Sequence, residues 1–328
     1  PLVDLSAGWD LSRLYALGHK LQQGESRGEP TAAEVPGPTR RTLDDFAGYA
    51  ELKAHLRMLL DVFMEANRGG DLLINKLPIA SGILLYGPSG VGKSFLIECL
   101  RGSVAVPVIE ARCETLFSKY LGDSELRLRQ VFARARNSAP CILVFDNIDA
   151  IGAPRSLSAS ENSVQTRLLS TLLNELDGVG DRQRPSMGTP AEETLGETSP
   201  TREVLVVATV RSPELLDAAL LRPGRLGARL QLDVPTSEER EEILRSAFAG
   251  MKLGSGIDLS DVGTHPALDG AVGAELAALA KDAAMRSLRR QARADADESN
   301  LTGASHGAPP HLEIGIDDIR AAMNSLGS

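Results

Sequence analysis

Residues 82–100 read GILLYGPSGVGKSFLIECL, in which an apolar run, a glycine-rich loop and an amphipathic segment follow one another. The apolar run predicts a buried strand, and the apolar spacing after the loop predicts a helix. Between them stands Gly87-x-x-x-x-Gly92-Lys93-Ser94. Glycines in such a loop let backbone N–H groups surround a phosphate, which also faces the helix N-terminus. The stretch therefore predicts a phosphate-binding strand, loop and helix, and with them an α/β fold.

The side chains of this loop suit a nucleotide. Lys93 can reach the β and γ phosphate oxygens, and Ser94 can bind Mg²⁺. A glycine-rich turn that contains a lysine by chance is the alternative, and the strand before the loop and the helix after it argue against that. The predicted nucleotide contacts are Pro88, Ser89, Gly90, Val91, Gly92, Lys93, Ser94 and Phe95.

Composition limits the class of protein. The chain has 328 residues, 42% of them hydrophobic and 24% charged, which is typical of a globular protein with room for two domains. A net charge of −9 argues against nucleic acid as a partner. Its three cysteines form no CxxC pair, which favours a reducing compartment. No apolar run reaches the ~20 residues of a membrane span, so we expect a cytoplasmic protein without direct membrane insertion. The start at Pro1 suggests a piece of something longer.

Composition also divides the chain into three parts. Residues 1–41 have a short helical pattern and then a polar, Pro- and Gly-rich stretch, which predicts an N-terminal helix and a flexible linker. Over 42–235, apolar strand-like runs alternate with helical stretches, which predicts a large α/β nucleotide-binding domain with a disordered insertion at 180–203. Helical apolar spacing recurs in several stretches of residues 236–328, which predicts a small all-α lid domain.

A second apolar run, Cys141–Phe145, ends in Asp146 and Asn147. An acid at the carboxyl end of a buried parallel strand lies beside the phosphate loop, where it can hold Mg²⁺ through water. A strand-ending aspartate without a function is the alternative, and the presence of the phosphate loop favours the metal ligand. We therefore assign Ser94 and Asp146 to the metal.

The order of motifs resembles that of the AAA ATPases over about residues 42–328. After the phosphate loop come SKYLGDSE (118–125), CILVFDNID (141–149), LLNELDG (172–178), VLVVATVRSPELLDAALLRPGRL (204–226) and GAVGAELAALA (270–280). Within that family the sequence is most similar to the second ATPase module of the valosin-containing-protein and peroxisomal peroxin group. The resemblance implies ATP and Mg²⁺ as cofactors, a P-loop sheet with a helical lid, and a hexameric ring of AAA subunits, homomeric or heteromeric, that unfolds or translocates polypeptide.

The resemblance also assigns residues around the nucleotide base and at the lid. The segment that flanks the adenine matches Asp45, Phe46, Ala47 and Gly48, with Ala47 where the family usually has glycine. The small-residue contact of the lid near the nucleotide matches Gly273 and Ala274.

Arg222 and Arg225, in LLRPGRL, match the paired arginine fingers that reach a neighbour's site in the family. A planar, permanently charged guanidinium also suits the negative charge that develops on a transferring phosphoryl group. A solvated basic turn is the alternative. Arg167 matches a helix arginine near the same interface, Asp177-Gly178 matches the element that senses the neighbour, and Gly227 stands where the family has Asp.

Lys119, Tyr120 and Leu121 match the loop that lines the central pore of the family's rings. A large amphipathic ring there grips extended polypeptide without reading its sequence. A core aromatic is the alternative for Tyr120. Its neighbours Lys119 and Gly122 favour an exposed loop tip.

Two positions depart from the family where it handles the hydrolytic water. Asn147 stands in place of Glu, and an amide can orient water but cannot take its proton. Val210 replaces the sensor Asn and has neither a donor nor an acceptor. Asp149 is no substitute, since active relatives have that acid as well as the Glu. The predicted catalytic set is Asp146, Asn147, Val210, Arg222 and Arg225. We expect binding of ATP with Mg²⁺ and slow or absent hydrolysis, with the fingers supplied to a neighbour.

Two other classes of function stay open. A fully active unfoldase, such as a peroxisomal export motor, would use Asn147 to orient water as the Gln of small GTPases does. A nucleotide-gated scaffold without pore work would leave Tyr120 dispensable. A P-loop kinase is excluded, since the helical lid and the finger motif have no place in one. In each open case partner proteins could bring the chain to an organelle membrane.

Overall fold

The computed structural model describes residues 41–67, 82–118, 120, 122–154, 164–180, 203–302 and 313–326. The expected N-terminal helix and linker and the expected insertion at 180–203 lie outside these ranges, except for their boundary residues. All of the described residues belong to one compact unit.

Five parallel strands form the central sheet. They are β1 (Gly82–Tyr86), β2 (Val108–Arg112), β3 (Cys141–Asp146), β4 (Val204–Val210) and β5 (Ala228–Gln231). Their order in the sheet is β2-β3-β4-β1-β5, so the loop after β1 opens beside the carboxyl ends of β4 and β3. The prediction of a P-loop-type parallel α/β sheet is confirmed.

Helices cover both faces of this sheet. The helices of this part are α1 (Ala50–Asn67), α2 (Lys93–Ser103), α3 (Cys113–Leu116), α4 (Asp123–Asn137), α5 (Asp149–Gly152) and α6 (Val164–Gly180). Alternate strand residues enter two separate apolar clusters, one with α4 and α6 and the other with α1 and α2. This explains why β3 and β4 are apolar at nearly every position.

The region after the sheet is helical, as predicted. It contains α7 (Ser237–Ala247), α8 (Leu259–Gly263), α9 (Gly273–Thr302) and α10 (Ile316–Leu326). A two-stranded parallel pair, β6 (Lys252–Leu253) and β7 (Glu313–Ile314), was not predicted, because two residues are too few to show a pattern. Among the helices in the described ranges, none has an apolar stretch of the length that crosses a bilayer.

Candidate nucleotide-binding site

The loop between β1 and α2 has a backbone course that only glycine can follow. Gly87, Gly90 and Gly92 have φ angles of 153°, 84° and 107°. A β-carbon at Gly87 would lie 1.9 Å from the Leu232 carbonyl oxygen, and one at Gly90 would lie 2.7 Å from Val272 Cγ2. The glycines therefore keep the loop tightly curved around the N-terminus of α2, which is the cradle that a phosphate requires.

Lys93 begins α2 and is 9% exposed. Its Nζ donates to the carbonyl oxygens of Gly87 and Pro88 at 2.6 and 2.7 Å. Burial lowers the pKa of Lys93, as does the charge of Arg211, while Asp146 and Asp149 oppose the shift. The ammonium is thus held inside the loop, where a phosphate would be a stronger, charged acceptor than a carbonyl.

Ser94 and Asp146 are brought together although they lie 52 residues apart in the sequence. The Ser94 hydroxyl donates to the Asp146 carboxylate at 3.2 and 3.4 Å. On the other side, the Thr209 hydroxyl donates to Asp146 Oδ1 at 2.5 Å. Hydroxyl and carboxylate oxygens are the ligands that Mg²⁺ prefers, so these residues fit that ion. Ser94 and Asp146 would hold it, and Thr209 fixes the carboxylate.

Asp149 supports the same interpretation. Its Oδ1 is buried and has no hydrogen-bond partner in the part of the chain that the structure describes. A buried oxygen without a donor is destabilising and calls for an explanation. Asp149 begins α5, just after the end of β3 at Asp146, so the two carboxylates lie at the same edge of the sheet. The water shell of a bound cation would supply the missing donor.

Asn147 follows the metal aspartate and is exposed. Its φ is 53°, a left-handed conformation that Asn adopts more readily than most residues. Its backbone N–H donates to the Thr209 hydroxyl at 2.9 Å. The side-chain amide has no hydrogen-bond partner in the described ranges, so it is free to contact water.

Val210 ends β4, next to the phosphate loop. The Gly87 N–H of the loop donates to the Val210 carbonyl oxygen at 3.3 Å. Its side chain is fully buried in the apolar cluster that includes Leu216 and Leu220. At this position the chain therefore presents hydrocarbon and a bonded carbonyl, and no side-chain group that could hold a water.

The phosphate loop touches other elements on two sides. Phe46 is 3% exposed and packs against the loop at Gly92, where a β-carbon would lie 3.2 Å from the Phe46 ring. It also packs against Phe95, with the two ring centroids 5.9 Å apart. From the lid, the Ala274 N–H donates to the Gly90 carbonyl oxygen at 2.9 Å. The structure thus brings residues 45–48 and the lid contact beside the loop. Their contact with a nucleotide stays a prediction.

The two arginines of the finger motif differ. Arg222 is exposed, and its guanidinium has no ion pair or hydrogen bond with the described residues. Arg225 donates from Nε and Nη2 to both oxygens of Asp177 at 2.6 and 2.7 Å, and from Nη1 to the Ala219 carbonyl oxygen at 2.7 Å. This pairing lowers the pKa of Asp177 and raises that of Arg225. In the isolated chain only Arg222 is free to reach outward, and the finger role of both stays a prediction.

The remaining predicted residues lie apart from the phosphate loop. Tyr120 is 79% exposed, as expected of a loop tip, and its neighbours Lys119 and Leu121 lie outside the described residues. Arg167 of α6 pairs with Glu125 of α4 at 2.8 Å. These placements leave the pore and interface roles as predictions.

Sequence reasoning missed residues that act through distant contacts. Thr209 joins Asp146 to Asn147, and no local pattern in the sequence indicates that role. Ile243 of α7 packs with residues of both the sheet and the lid. Glu239 and Glu242, also on α7, bond the backbone of residues 48 and 49. Thr236 and Glu239 form a helix-capping sequence, which draws attention to Glu239. The sequence carries no comparable signal for Glu242.

Comparison with known proteins adds the family. Residues 83–234 match the family model for AAA, the ATPase family associated with various cellular activities. The ribosome biogenesis ATPase RIX7 of Saccharomyces cerevisiae is 34% identical over 64% of this chain and 23% of its own length. The peroxisomal ATPase pex6 of Schizosaccharomyces pombe is 32% identical over 76% of this chain and 24% of its own length.

A third relative carries the name of a protease. The ATP-dependent zinc metalloprotease FtsH 2 of Symbiobacterium thermophilum is 32% identical over 94% of this chain and 47% of its own length. The chain thus spans between about a quarter and a half of these curated relatives. The parallel sheet, the glycine-only phosphate loop and the family match agree that residues 83–234 of this chain belong to an AAA ATPase domain.

Proposed function

We propose that this chain is the ATP-binding AAA module of a ring-forming protein-remodelling assembly, that it hydrolyses ATP slowly or not at all, and that it supplies arginine fingers to a neighbour. One observation carries the proposal. Ser94, Asp146 and Thr209 are hydrogen-bonded to one another and Lys93 is bonded to its own loop, while the two positions that should handle water carry Asn147 and the buried Val210.

The binding side of the proposal rests on this chain's own contacts. The glycine loop offers backbone N–H groups, Lys93 offers a positive charge, and Ser94 and Asp146 offer oxygen ligands for Mg²⁺. Bound Mg²⁺ would neutralise phosphate charge. Thr209 keeps the Asp146 carboxylate oriented, so little rearrangement is needed on binding.

The hydrolytic side lacks a base. The exposed amide of Asn147 can donate to or accept from a water but cannot remove its proton, and loss of a general base slows a reaction by ~10²–10⁴. Val210 adds no polar group to position that water. ATP is therefore expected to stay bound for longer than in an active subunit.

The finger side of the proposal concerns assembly. A subunit that offers Arg222 to its neighbour meets it head to tail, and contacts of this kind close into a ring. We propose a hexamer with other AAA subunits, identical or different, in which Tyr120 contacts a polypeptide substrate in the pore. Nucleic acid is not a proposed partner, given the net charge of −9.

The proposed location is the cytoplasm, at an organelle membrane through partners and without direct insertion. Similarity to a relative named as a peroxisomal ATPase supports the peroxisome as that organelle. A role in peroxisome biogenesis would follow.

A fully active unfoldase is the second candidate, and the exposed side chain of Asn147 is the observation that favours it. Its amide has no hydrogen-bond partner among the described residues and could orient the attacking water. A third candidate, a nucleotide-gated scaffold, would need neither hydrolysis nor Tyr120.

Titration with a fluorescent ATP analogue and Mg²⁺ tests the binding proposal. Lys93→Ala is expected to weaken affinity roughly 100-fold, because charge-assisted bonds to phosphate are lost. Lys281→Ala, an exposed lysine on α9, is the matched control and should bind as the wild type does. Equal affinity for all three proteins would remove the nucleotide-site assignment.

A further inference from the structure

Two carboxylates of the first lid helix bond consecutive backbone N–H groups just before α1. The Gly48 N–H donates to Glu242 Oε2 at 3.0 Å, and the Tyr49 N–H donates to Glu239 Oε1 at 3.0 Å. We propose that these four residues form a lid clamp, in which Glu239 and Glu242 are positioning residues for nucleotide binding. This inference rests on the proposed nucleotide-binding function and names residues outside the phosphate loop that serve it.

The backbone at the clamp is shaped to receive carboxylates. Gly48 and Tyr49 have φ angles of 75° and 52°, and at this turn of the backbone both of their N–H groups point to carboxylate oxygens of α7. Space is tight, since a β-carbon at Gly48 would lie 3.3 Å from Glu239 Cβ. Glycine at 48 lets α7 approach this closely.

Tyr49 is a bulky residue in a conformation that strains it, so the surrounding contacts must hold it there. Its ring is 7% exposed, and its hydroxyl donates to the Asp233 carbonyl oxygen at 2.8 Å. Burial, with the charges of Glu239 and Asp233, raises the pKa of Tyr49 to about 12. The phenol therefore stays a neutral donor at ordinary pH, and the strained turn is fixed from two sides.

The clamp is linked to the phosphate loop by the residues just before it. Phe46 packs against Gly92 of the loop, and Lys53 Nζ donates to the Phe46 carbonyl oxygen at 2.8 Å. Through Gly48 and Tyr49 the same segment is bonded to α7, so the lid helix and the segment have to move together. The segment and the lid are the two walls nearest a nucleoside whose phosphates occupy the loop.

The two glutamates differ in how cleanly they test the clamp. Glu239 also caps its own helix, since its Oε2 accepts from Thr236 N–H at 2.9 Å and Thr236 Oγ1 accepts from Glu239 N–H at 3.3 Å. Replacing Glu239 would weaken α7 as well as the clamp. Glu242 bonds the Gly48 N–H alone among the described residues, which makes it the cleaner position.

Loss of the clamp lowers the population of the binding-competent segment. The apparent dissociation constant equals the intrinsic constant divided by the fraction of molecules in the competent arrangement, so it rises as that fraction falls. Loss of one hydrogen bond to a charged acceptor that is partly open to water should raise the apparent dissociation constant about five- to tenfold. Glu242 itself does not contact the phosphate loop, and Phe46 can keep its packing against Gly92 without it, so the contribution of the phosphate contacts should persist.

Calorimetric titration of the same chain with Mg·ATP and with Mg·tripolyphosphate tests the clamp. Glu242→Ala should weaken ATP about five- to tenfold and leave tripolyphosphate unchanged. Glu242→Gln keeps an acceptor oxygen and should recover most of the ATP affinity. Glu238→Ala, which removes an exposed charge from the same helix, should match the wild type for both ligands.

The outcomes separate the two proposals. Wild type that binds ATP, together with a Glu242→Ala protein of unchanged ATP affinity, would overturn the clamp alone. Equal losses for ATP and tripolyphosphate would show damage to the loop and overturn it too. Wild type that binds neither ligand would overturn the proposed function and the clamp with it. Amide hydrogen exchange of Gly48 and Tyr49 gives a second readout. Glu242→Ala should speed exchange at Gly48, whether or not the melting temperature of the variant protein changes.

Discussion

The candidate site has two halves that differ in what their side chains can do. The holding half consists of the glycine loop with Lys93, Ser94 and Asp146, and its polar groups are bonded to one another. The water half consists of Asn147 and Val210, of which one is exposed and the other fully buried. The holding half carries the residue types that we propose bind phosphate and Mg²⁺, whereas neither residue of the water half is an acid.

The backbone is continuous across both halves. Asn147 N–H bonds Thr209, and the Val210 carbonyl oxygen accepts from Gly87, so the altered side chains leave the frame of the loop intact. Under the proposed function, binding and hydrolysis are physically separable, because binding would depend on the backbone course of the loop and on the bonds between Ser94, Asp146 and Thr209, whereas hydrolysis would also need the side chains at 147 and 210. A chain can lose the second without losing the first.

The largest expected effect concerns the neighbour, since a subunit that holds ATP without hydrolysing it can still complete another site. Changing Arg222 and Arg225 to Ala in rings formed with a co-purified AAA partner should lower the partner's ATPase rate by ~10³ or more. Arg222→Ala alone should account for most of the loss, because Arg225 must first leave Asp177.

Rates are to be compared at equal ring occupancy, with Arg320→Ala, an exposed lid arginine, as the control. If the partner turns over equally fast beside the wild-type and the doubly altered chain, the fingers do no work in trans. The chain would then be a nucleotide-binding scaffold.

The second effect would convert the water half into that of an active subunit. Asn147→Glu combined with Val210→Asn should raise turnover by ~10² or more, and neither change alone should suffice, because base and sensor act on one water. Steady-state ATPase assays measure this. Thermal melting must accompany them, since Val210→Asn buries an amide at about 1–3 kcal/mol if it finds no partner. A fast wild type that is insensitive to Asn147→Ala would contradict the division into halves.

The third effect is on stability and sharpens the description of the water half. Asn147 has a φ of 53°, so Asn147→Ala should lower the free energy of unfolding by about 1 kcal/mol, and Asn147→Gly should not. Urea unfolding measures both. Asn174→Ala, in the middle of α6, is the control. This variant should be slightly more stable than the wild type, because Ala has a higher helix propensity than Asn. Equal stability of the Ala and Gly variants at 147 would mean that the left-handed turn is absent in solution.

The smallest effect concerns the pair between Asp177 and Arg225. The pair lowers the folded-state pKa of Asp177 below its ordinary 3.8, so its stabilisation is present above that value and is lost as the pH falls through the folded-state pKa. Asp177 is 46% exposed, and screening by water limits the contribution to under about 1 kcal/mol. Asp177→Asn should therefore unfold slightly more easily at pH 7. The difference should vanish in acid, and a difference that instead grows in acid would contradict this pairing.

The holding half could be predicted from sequence because most of it is local. The strand, the glycine loop and the helix occupy nineteen consecutive residues, and glycine spacing alone indicates the backbone course. Asp146 followed from the rule that the carboxyl ends of parallel strands meet. The sheet itself followed from the alternation of strand and helix patterns.

The parts that could not be predicted depend on residues far apart in the chain. Thr209 bonds Asp146 across 63 positions, and Glu242 bonds Gly48 across 194. Such partners have no local pattern, because any exposed helix carries glutamates of the same kind. The sequence also could not distinguish the held Arg225 from the free Arg222, since the two occupy the same short turn.

Single-turnover hydrolysis by the wild-type chain tests the central claim most directly. The protein, in excess over radiolabelled ATP with Mg²⁺, binds the label, and the label is then followed from ATP to ADP. We predict that the bound nucleotide remains ATP, with a rate constant at least ~10² below that of the Asn147→Glu, Val210→Asn protein under the same conditions. Conversion of bound ATP to ADP by the wild type at the rate of that double variant would contradict the account.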